Sequence, residues 1–185
     1  ERFLMVPDFL HWQLSGEKVN EHTNASTTQM LDAESGQWST TVLRALEIPE
    51  SIFSQPIQPG ISLGRLLPHV RHLTRLHDGV EVIVPATHDT GSAVLAVPAD
   101  SFAQEHPDWC YISCGTWSLL GAELSRPVLS DACQLYNFTN EGGVQGSVRL
   151  LKNIAGLWIL QQCREQWKRE GHDWSWDRLI ALAEQ

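Results

Sequence analysis

Val80-Glu-Val-Ile-Val84 is an apolar, β-branched run of the kind found in buried strands. It is followed at once by Pro85-Ala-Thr-His-Asp-Thr-Gly-Ser-Ala-Val94, a polar corner that leads into a helix of small residues. Strand, corner and helix in that order commit this part of the chain to an α/β arrangement. Open α/β sheets place ligand-binding and catalytic groups at such a corner. His88, Asp89 and Thr90 stand in it. A carboxylate at a helix N-terminus can accept a hydrogen bond or a proton from a substrate hydroxyl. It can equally serve as nothing more than the helix cap.

The rest of the chain alternates helix and strand signals without an internal repeat. Residues 3–14 predict a helix with Leu10 and Leu14 on one face and Gly16 as its stop, and residues 20–28, rich in Asn, Thr and Ser, predict a loop or a short edge strand. Residues 37–46 return to helical spacing with Val42 and Leu46 aligned, closed by Pro49. Pro56, Pro59, Gly60 and Gly64 mark a turn-rich connection, and residues 66–76 predict another helix. The polar, proline-bracketed stretch 98–108 reads as a linker. Beyond it, residues 109–114, 116–124 and 134–139 predict strands, Gly142, Gly143 and Gly146 a hairpin-like turn, and 147–151 a further strand. A long helix is then expected from Asn153 to Lys168, carrying Ile154, Leu157, Trp158 and Gln161, with another starting at an N-cap Ser175. Two domain portions follow from this pattern, 1–98 and 109–185, joined at 99–108. Neither the start at Glu1 nor the end in Ala181-Leu-Ala-Glu-Gln185 carries a cap or stop signal, so a piece of a longer chain is expected.

Charge excludes some function classes. With 13 Lys and Arg against 22 Asp and Glu, a net charge of −9, the chain lacks the basic field for non-specific nucleic-acid binding and would be repelled by an anionic membrane. No apolar run approaches the ~20 residues that span a bilayer, and residues 1–7 lack the apolar core of a signal peptide. The expected address is the cytoplasm. Cys110 and Cys114 lie four residues apart in a strand-like run, so at ~3.3 Å per residue they stand too far apart to bridge. The four cysteines read as reduced structural thiols.

Several further stretches could carry chemistry. In Ser113-Cys-Gly-Thr-Trp-Ser118 a glycine turn at Gly115 with flanking hydroxyls, Thr116 among them, could cradle phosphate oxygens with backbone N–H groups. A plain hairpin has the same look, and no Gly-Lys-Ser/Thr follows as in a Walker loop. In Asn140-Glu-Gly-Gly-Val-Gln-Gly146, Glu141 would repel an anion, which favours a hairpin. Lys152 and Asn153 are expected to open the long helix, where first-turn N–H groups favour negative charge. His69, His72 and His77 are accompanied by Arg65, Arg71 and Arg75, which oppose a divalent metal and point to a solvated basic face. Trp158 and Trp167 read as core residues, and Trp174 and Trp176 as packed or as an exposed patch.

Taken together, these stretches resemble the rhamnulokinase branch of the FGGY family of carbohydrate kinases. The residues that carry the resemblance are Val6-Pro-Asp-Phe-Leu-His-Trp-Gln-Leu-Ser-Gly-Glu-Lys18, Asn24-Ala-Ser-Thr-Thr-Gln29, His88-Asp-Thr-Gly-Ser-Ala-Val94, Ser113-Cys-Gly-Thr-Trp-Ser-Leu119, Asn140-Glu-Gly-Gly143 and Leu150-Leu-Lys-Asn-Ile-Ala-Gly-Leu-Trp158. The resemblance implies an actin-like, ribonuclease-H-type α/β ATPase fold, with 1–98 the end of a sugar-binding domain and 109–185 the start of a nucleotide-binding domain around a cleft. It implies transfer of the ATP γ-phosphoryl group, with Mg2+, to the 1-hydroxyl of L-rhamnulose in L-rhamnose catabolism. Asp89 then matches the catalytic base, and His88, Asp89, Thr90 and Asn153 match sugar contacts. Gly115, Thr116 and Gln161 match nucleotide contacts, and no residue matches a dedicated metal ligand. Cys114 stands where the family usually has Ser, and Ala155 where Met is usual. The family's N-terminal phosphate loop and C-terminal adenine motif are not in these residues, so the segment alone is expected to be inactive. The rival readings are a sibling FGGY kinase for another ketose and a non-catalytic sugar- or nucleotide-binding protein.

Overall fold

The computed structural model describes residues 1–184. Helix α1 (Val6–Ser15) starts with Pro7 in its first turn and ends at Gly16, whose φ of 86° turns the chain while its N–H bonds Trp12 O. Its buried residues are Asp8 and His11, whereas Leu10 and Leu14 are exposed, contrary to the apolar face that spacing suggested. The inward side is polar because Asp8 has a structural task. Its carboxylate accepts from the Met5 and Glu21 backbone N–H groups and from Asn20 Nδ2. Strand β1 (Asn20–Glu21), fixed in this way, pairs in parallel with β2 (Pro56–Ile57).

The stretch expected as a loop or edge strand is therefore β1 followed by helix α2 (His22–Ala25) and a 3₁₀ turn, Ser26–Thr28. Its hydroxyls replace apolar periodicity as the organising signal. Ser26, Thr27 and Thr28 each donate to the carbonyl three residues back, each at 2.7 Å. Helix α3 (Thr40–Ala45), capped by Ser39 Oγ, buries Leu43 and leaves Leu46 exposed. Beside it, Phe3, Trp38 and Phe53 form an aromatic cluster with the closest ring centroids 4.3 Å apart.

Part of the turn-rich connection is strand β3 (Ser62–Arg65), followed by α4 (Pro68–Thr74) and β4 (Glu81–Ile83), which pairs antiparallel with β3. The β-branched run is covered on one face only. Val82 and Val84 are buried while Ile83 between them is 51% exposed. Helix α5 (Asp89–Leu95) follows the corner as expected.

The second half is a four-stranded antiparallel sheet in the order β5-β6-β8-β7, made of β5 (Tyr111–Cys114), β6 (Ser118–Leu124), β7 (Thr139–Gly142) and β8 (Val148–Ile154). Helix α6 (Asp131–Leu135), N-capped by Ser130 Oγ, occupies the start of the predicted strand 134–139, of which only Thr139 is in a strand. The long helix also starts later than its apolar spacing suggested. Backbone pairing of Leu119 with Asn153 and Ser118 with Ile154 keeps β8 extended, and α7 (Trp158–Arg169) begins after the turn at Gly156. Helix α8 (Trp176–Ala183) begins at Ser175, and Arg164 of α7 lies over the Trp176 ring. Trp158, expected in the core, is 44% exposed. All four cysteines are free.

Register and the two-residue alternation of a strand put Glu123, Arg149 and Glu141 side by side on one face. Tyr111, Gly121, Leu151 and Thr139 form the next row of that face. Gly121 leaves the room that the Tyr111 ring fills. A Cβ on Gly121 would lie 2.6 Å from that ring and 2.9 Å from Leu151 Cβ. Gly121→Ala is expected to destabilise the protein by about 1–3 kcal/mol through overpacking, read as a lower urea midpoint, and an unchanged midpoint would contradict this packing.

Candidate active site

The corner between β4 and α5 is held by one buried side chain. Glu21 is fully buried, and its carboxylate accepts from Thr23 N, Thr23 Oγ1, Asn24 N, Thr87 N and Thr87 Oγ1 at 2.6–3.1 Å. Thr23 Oγ1 in turn accepts from His88 N at 3.2 Å, and Ser92 Oγ donates to Ala86 O at 2.6 Å. The backbone of residues 86–88 is thus tied on one side to β1 and α2 and on the other to α5.

Asp89 opens α5 and is exposed. Its Oδ1 accepts from Thr90 N at 2.6 Å, while Oδ2 takes no hydrogen bond among the described residues. One oxygen of the carboxylate thus bonds the first turn of the helix, whose N-cap position is His88, while the other stays an open acceptor. Thr90 is buried beneath it.

His88 faces the second half. Arg149 Nη1 lies 3.1 Å from His88 Nδ1, and a guanidinium has only donors to offer. Nδ1 is thus the acceptor and the ring proton sits on Nε2. Burial, reinforced by the Arg149 charge, pushes His88 below the ordinary histidine range against the opposing pull of Glu141, Asp89 and Glu21. The 3.9 Å approach of Glu141 Oε2 to Nδ1 is therefore no ion pair, since the ring is neutral.

Arg149 itself is fully buried. Its Nε donates to Gly142 O at 3.1 Å, its Nη2 lies 3.2 Å from Glu141 Oε2, and its guanidinium lies against Gly91 of α5. Sequence reasoning singled out neither Glu21 nor Arg149, and set Glu141 aside as repelling anions. Its charge is instead directed at Arg149.

The remaining expected residues form a second group. The turn of residues 115–117 between β5 and β6 is docked on the entry to α7, with Leu157 N donating to Gly115 O and Trp158 N to Thr116 O, both at 3.0 Å. Gly156, at φ +55°, makes this possible, because a Cβ there would lie 2.4 Å from Ser118 Oγ and 2.8 Å from Gly115 O. The Thr116 side chain is exposed and Gln161 half-buried on the first turn of α7. Asn153 sits in strand β8 rather than at a helix N-terminus, exposed, on the same face as Arg149 and Leu151. Four strand residues put it ~13 Å along β8 from Arg149.

A cleft of about 220 Å³ opens where α2 and the following turn meet β7. His22, Gln29, Phe138 and Thr139 line it, and none of the expected site residues does. The His22 ring is wedged against Gly142, where a Cβ would meet it at 2.5 Å. Burial lowers the His22 pKa, with Glu21 opposing. Among the described residues no three His, Cys, Asp or Glu side chains group as a metal cage. No helix among them is long and apolar enough to cross a membrane.

This corner and glycine-turned sheet belong to the actin-like ATPase fold of the sugar kinases. Residues 1–96 match the N-terminal domain of the FGGY family of carbohydrate kinases and residues 110–185 its C-terminal domain, and the chain belongs to that family. Among its relatives are rhamnulokinases. That of Halalkalibacterium halodurans is 42% identical over 98% of this chain and 36% of its own length. That of Bacteroides thetaiotaomicron is 41% identical over 100% of this chain and 36% of its own. The fold is shared with xylulose kinase from Rhodospirillum rubrum, with TM-score 0.73 and 19% identity over 96% of this chain and 35% of that one. Gluconate kinase from Lactobacillus acidophilus gives 0.72 and 16% over 88% and 32%. The chain thus spans about a third of the length of the relatives it matches.

His22 and His88 both have folded pKa values below the unfolded value of about 6.5. Their contribution to stability is full above about pH 6.5 and is lost as the pH falls from there through their folded values, because the unfolded chain takes up protons first. The urea midpoint is expected to be level from pH 8 to 7 and to fall between pH 6.5 and 5.5, with a shallower fall in His88→Gln. A flat wild-type profile would overturn this assignment.

Proposed function

We propose that the complete protein is a rhamnulokinase, transferring the γ-phosphoryl group of ATP to the 1-hydroxyl of L-rhamnulose to give L-rhamnulose 1-phosphate in L-rhamnose catabolism. The carrying observation is Asp89, with Oδ2 left open at the head of α5 on a corner locked by Glu21. Identities of 41–44% with rhamnulokinases support the choice of sugar. In this reading, residues 1–98 are the end of the sugar-binding domain, 99–108 a linker and 109–185 the start of the nucleotide-binding domain. The place of action is the cytoplasm, with no role for nucleic acid or membrane.

In this mechanism Asp89 Oδ2 orients the sugar hydroxyl and accepts its proton. Phosphoryl transfer passes through a loose transition state, so the base acts late and positioning dominates. The His88 Nε2–H is a donor for a sugar oxygen, Thr90 supports the corner from below, and Asn153 contributes an amide from the facing strand. Gly115 and Thr116 offer the turn for the nucleotide phosphates, with Gln161 a further nucleotide contact. Mg2+, a hard ion that keeps several waters and binds mainly through the nucleotide phosphates, would arrive with ATP. When bound it neutralises charge on the phosphates.

The test is ADP release by the complete protein with Mg–ATP and L-rhamnulose, L-fuculose, D-xylulose or no sugar. Turnover favouring L-rhamnulose is expected. Preference for another sugar moves the assignment to a sibling kinase, and binding without turnover by any sugar leaves a non-catalytic binding protein. Asp89→Asn is expected to lower kcat at least ~10²-fold while ATP binding persists, and near wild-type turnover would remove Asp89 from the role of base.

A further inference from the structure

The corner bearing Asp89 and the strand bearing Asn153 belong to different halves of the chain, and Arg149 reaches from one to the other. It donates to His88 Nδ1 across 61 residues of sequence, to Gly142 O on the neighbouring strand, and faces Glu141. Register places it in one row with Glu123 and Glu141, and Glu123 is already engaged by Ser147 Oγ at 2.7 Å.

This cluster is not arranged for stability alone. Arg149 Nη2 and Glu141 Oε2 are 3.2 Å apart, yet neither makes an aligned hydrogen bond, and the nearby Tyr111 hydroxyl is also buried without a partner among the described residues. Burial pushes the Tyr111 pKa up to about 12, with the charges of Arg149, Glu141 and Glu123 acting on it. A buried charge pair offsets its desolvation only when its hydrogen bonds are spent. Here the best-aligned donors of Arg149 go to Gly142 O and to His88.

We propose that Arg149 is a positioning residue for phosphoryl transfer: it holds the His88 ring in the tautomer with Nε2–H presented, and fixes the angle between the Asp89 corner and the strand that carries Asn153. The proposal rests on the reading of that corner as the sugar-phosphorylating site. The charged and titratable groups facing His88 are Arg149, Glu141, Asp89 and Glu21. Arg149 supplies the only cation among them, so its removal has a definite sign for His88.

The test uses the complete protein with Arg149→Lys, Arg149→Met and the isosteric Glu141→Gln, reading kcat, the KM for sugar and for ATP, the thermal midpoint, and the titration of the His88 ring by NMR without ligands. Arg149→Lys keeps the charge but loses the fork, so kcat is expected to fall ~10–10²-fold with the KM for ATP within about twofold. Glu141→Gln is expected to lower kcat in the same direction. Arg149→Met is expected to raise the His88 titration midpoint, because the guanidinium charge beside the ring opposes its protonation, and kcat per folded molecule is the readout that a purely structural role would not move. Should Arg149→Met not fold, the other two variants decide through kcat at an unchanged thermal midpoint. Folded variants with wild-type kcat overturn the proposal, as does a kcat loss that only follows the loss of folded protein. A wild type that phosphorylates no sugar overturns the reading of the site and this proposal with it, whereas an active wild type with unaffected variants overturns this proposal alone.

Discussion

The Glu21 carboxylate is the constraint on which the rest of the structure turns. Burying a carboxylate costs several kcal/mol, and hydrogen bonds to a charged group return about 1.5–3 kcal/mol each, so the arrangement holds only when nearly every lone pair is used. Glu21 reaches that condition with donors from Thr23, Asn24 and Thr87. Its own N–H is held by Asp8, which also fixes Met5 and Asn20. Burial raises the pKa of Asp8, against the hydrogen bonds from Glu21, Asn20 and Met5 that favour its charged form. Through these two groups the start of α1, the strand β1 and the corner before Asp89 are tied together. Apolar packing could cover the same surfaces, but it is non-directional and would not set the angle of the corner.

The strand, corner and helix around Asp89 were legible because β-branched residues and a polar break leave few alternatives. The glycine turn at Gly115 was legible because a glycine between two strand-like runs marks a turn. Where apolar spacing was the guide, it misled: Leu10, Leu14 and Leu46 are exposed, and Asn153 lies in a strand that its pairing with Leu119 extends. Short apolar segments satisfy both periods, and tertiary pairing decides between them. The long-range roles of Glu21 and Arg149 left no local signal. Glu21 also caps the helix that follows it and Arg149 also bonds Gly142, but the partners that bring each to the corner, Thr87 and His88, lie 66 and 61 residues away. Glu141 read as hostile to anions because its counter-charge, Arg149, was invisible from its own stretch.

The contacts joining the two halves explain why one arginine can matter so much. They are polar and individually small: Ser26 Oγ accepts from Gly142 N, Gln29 reaches Thr139, the His22 ring lies on Gly142, and Arg149 bonds His88. An interface of this kind resembles a transient one, in which relative motion is the default expectation. Most of these contacts gather at β7, and a set of contacts confined to one strand can act as a pivot without setting an angle. Arg149 differs because its guanidinium is planar and buried, bonded to Gly142 O at one edge and to His88 Nδ1 at the other. A planar group held at two edges resists rotation as well as separation. The orientation of Asp89 toward the second half therefore depends on that plane, and the neutral ring of His88 is what lets a cation sit against it without repulsion.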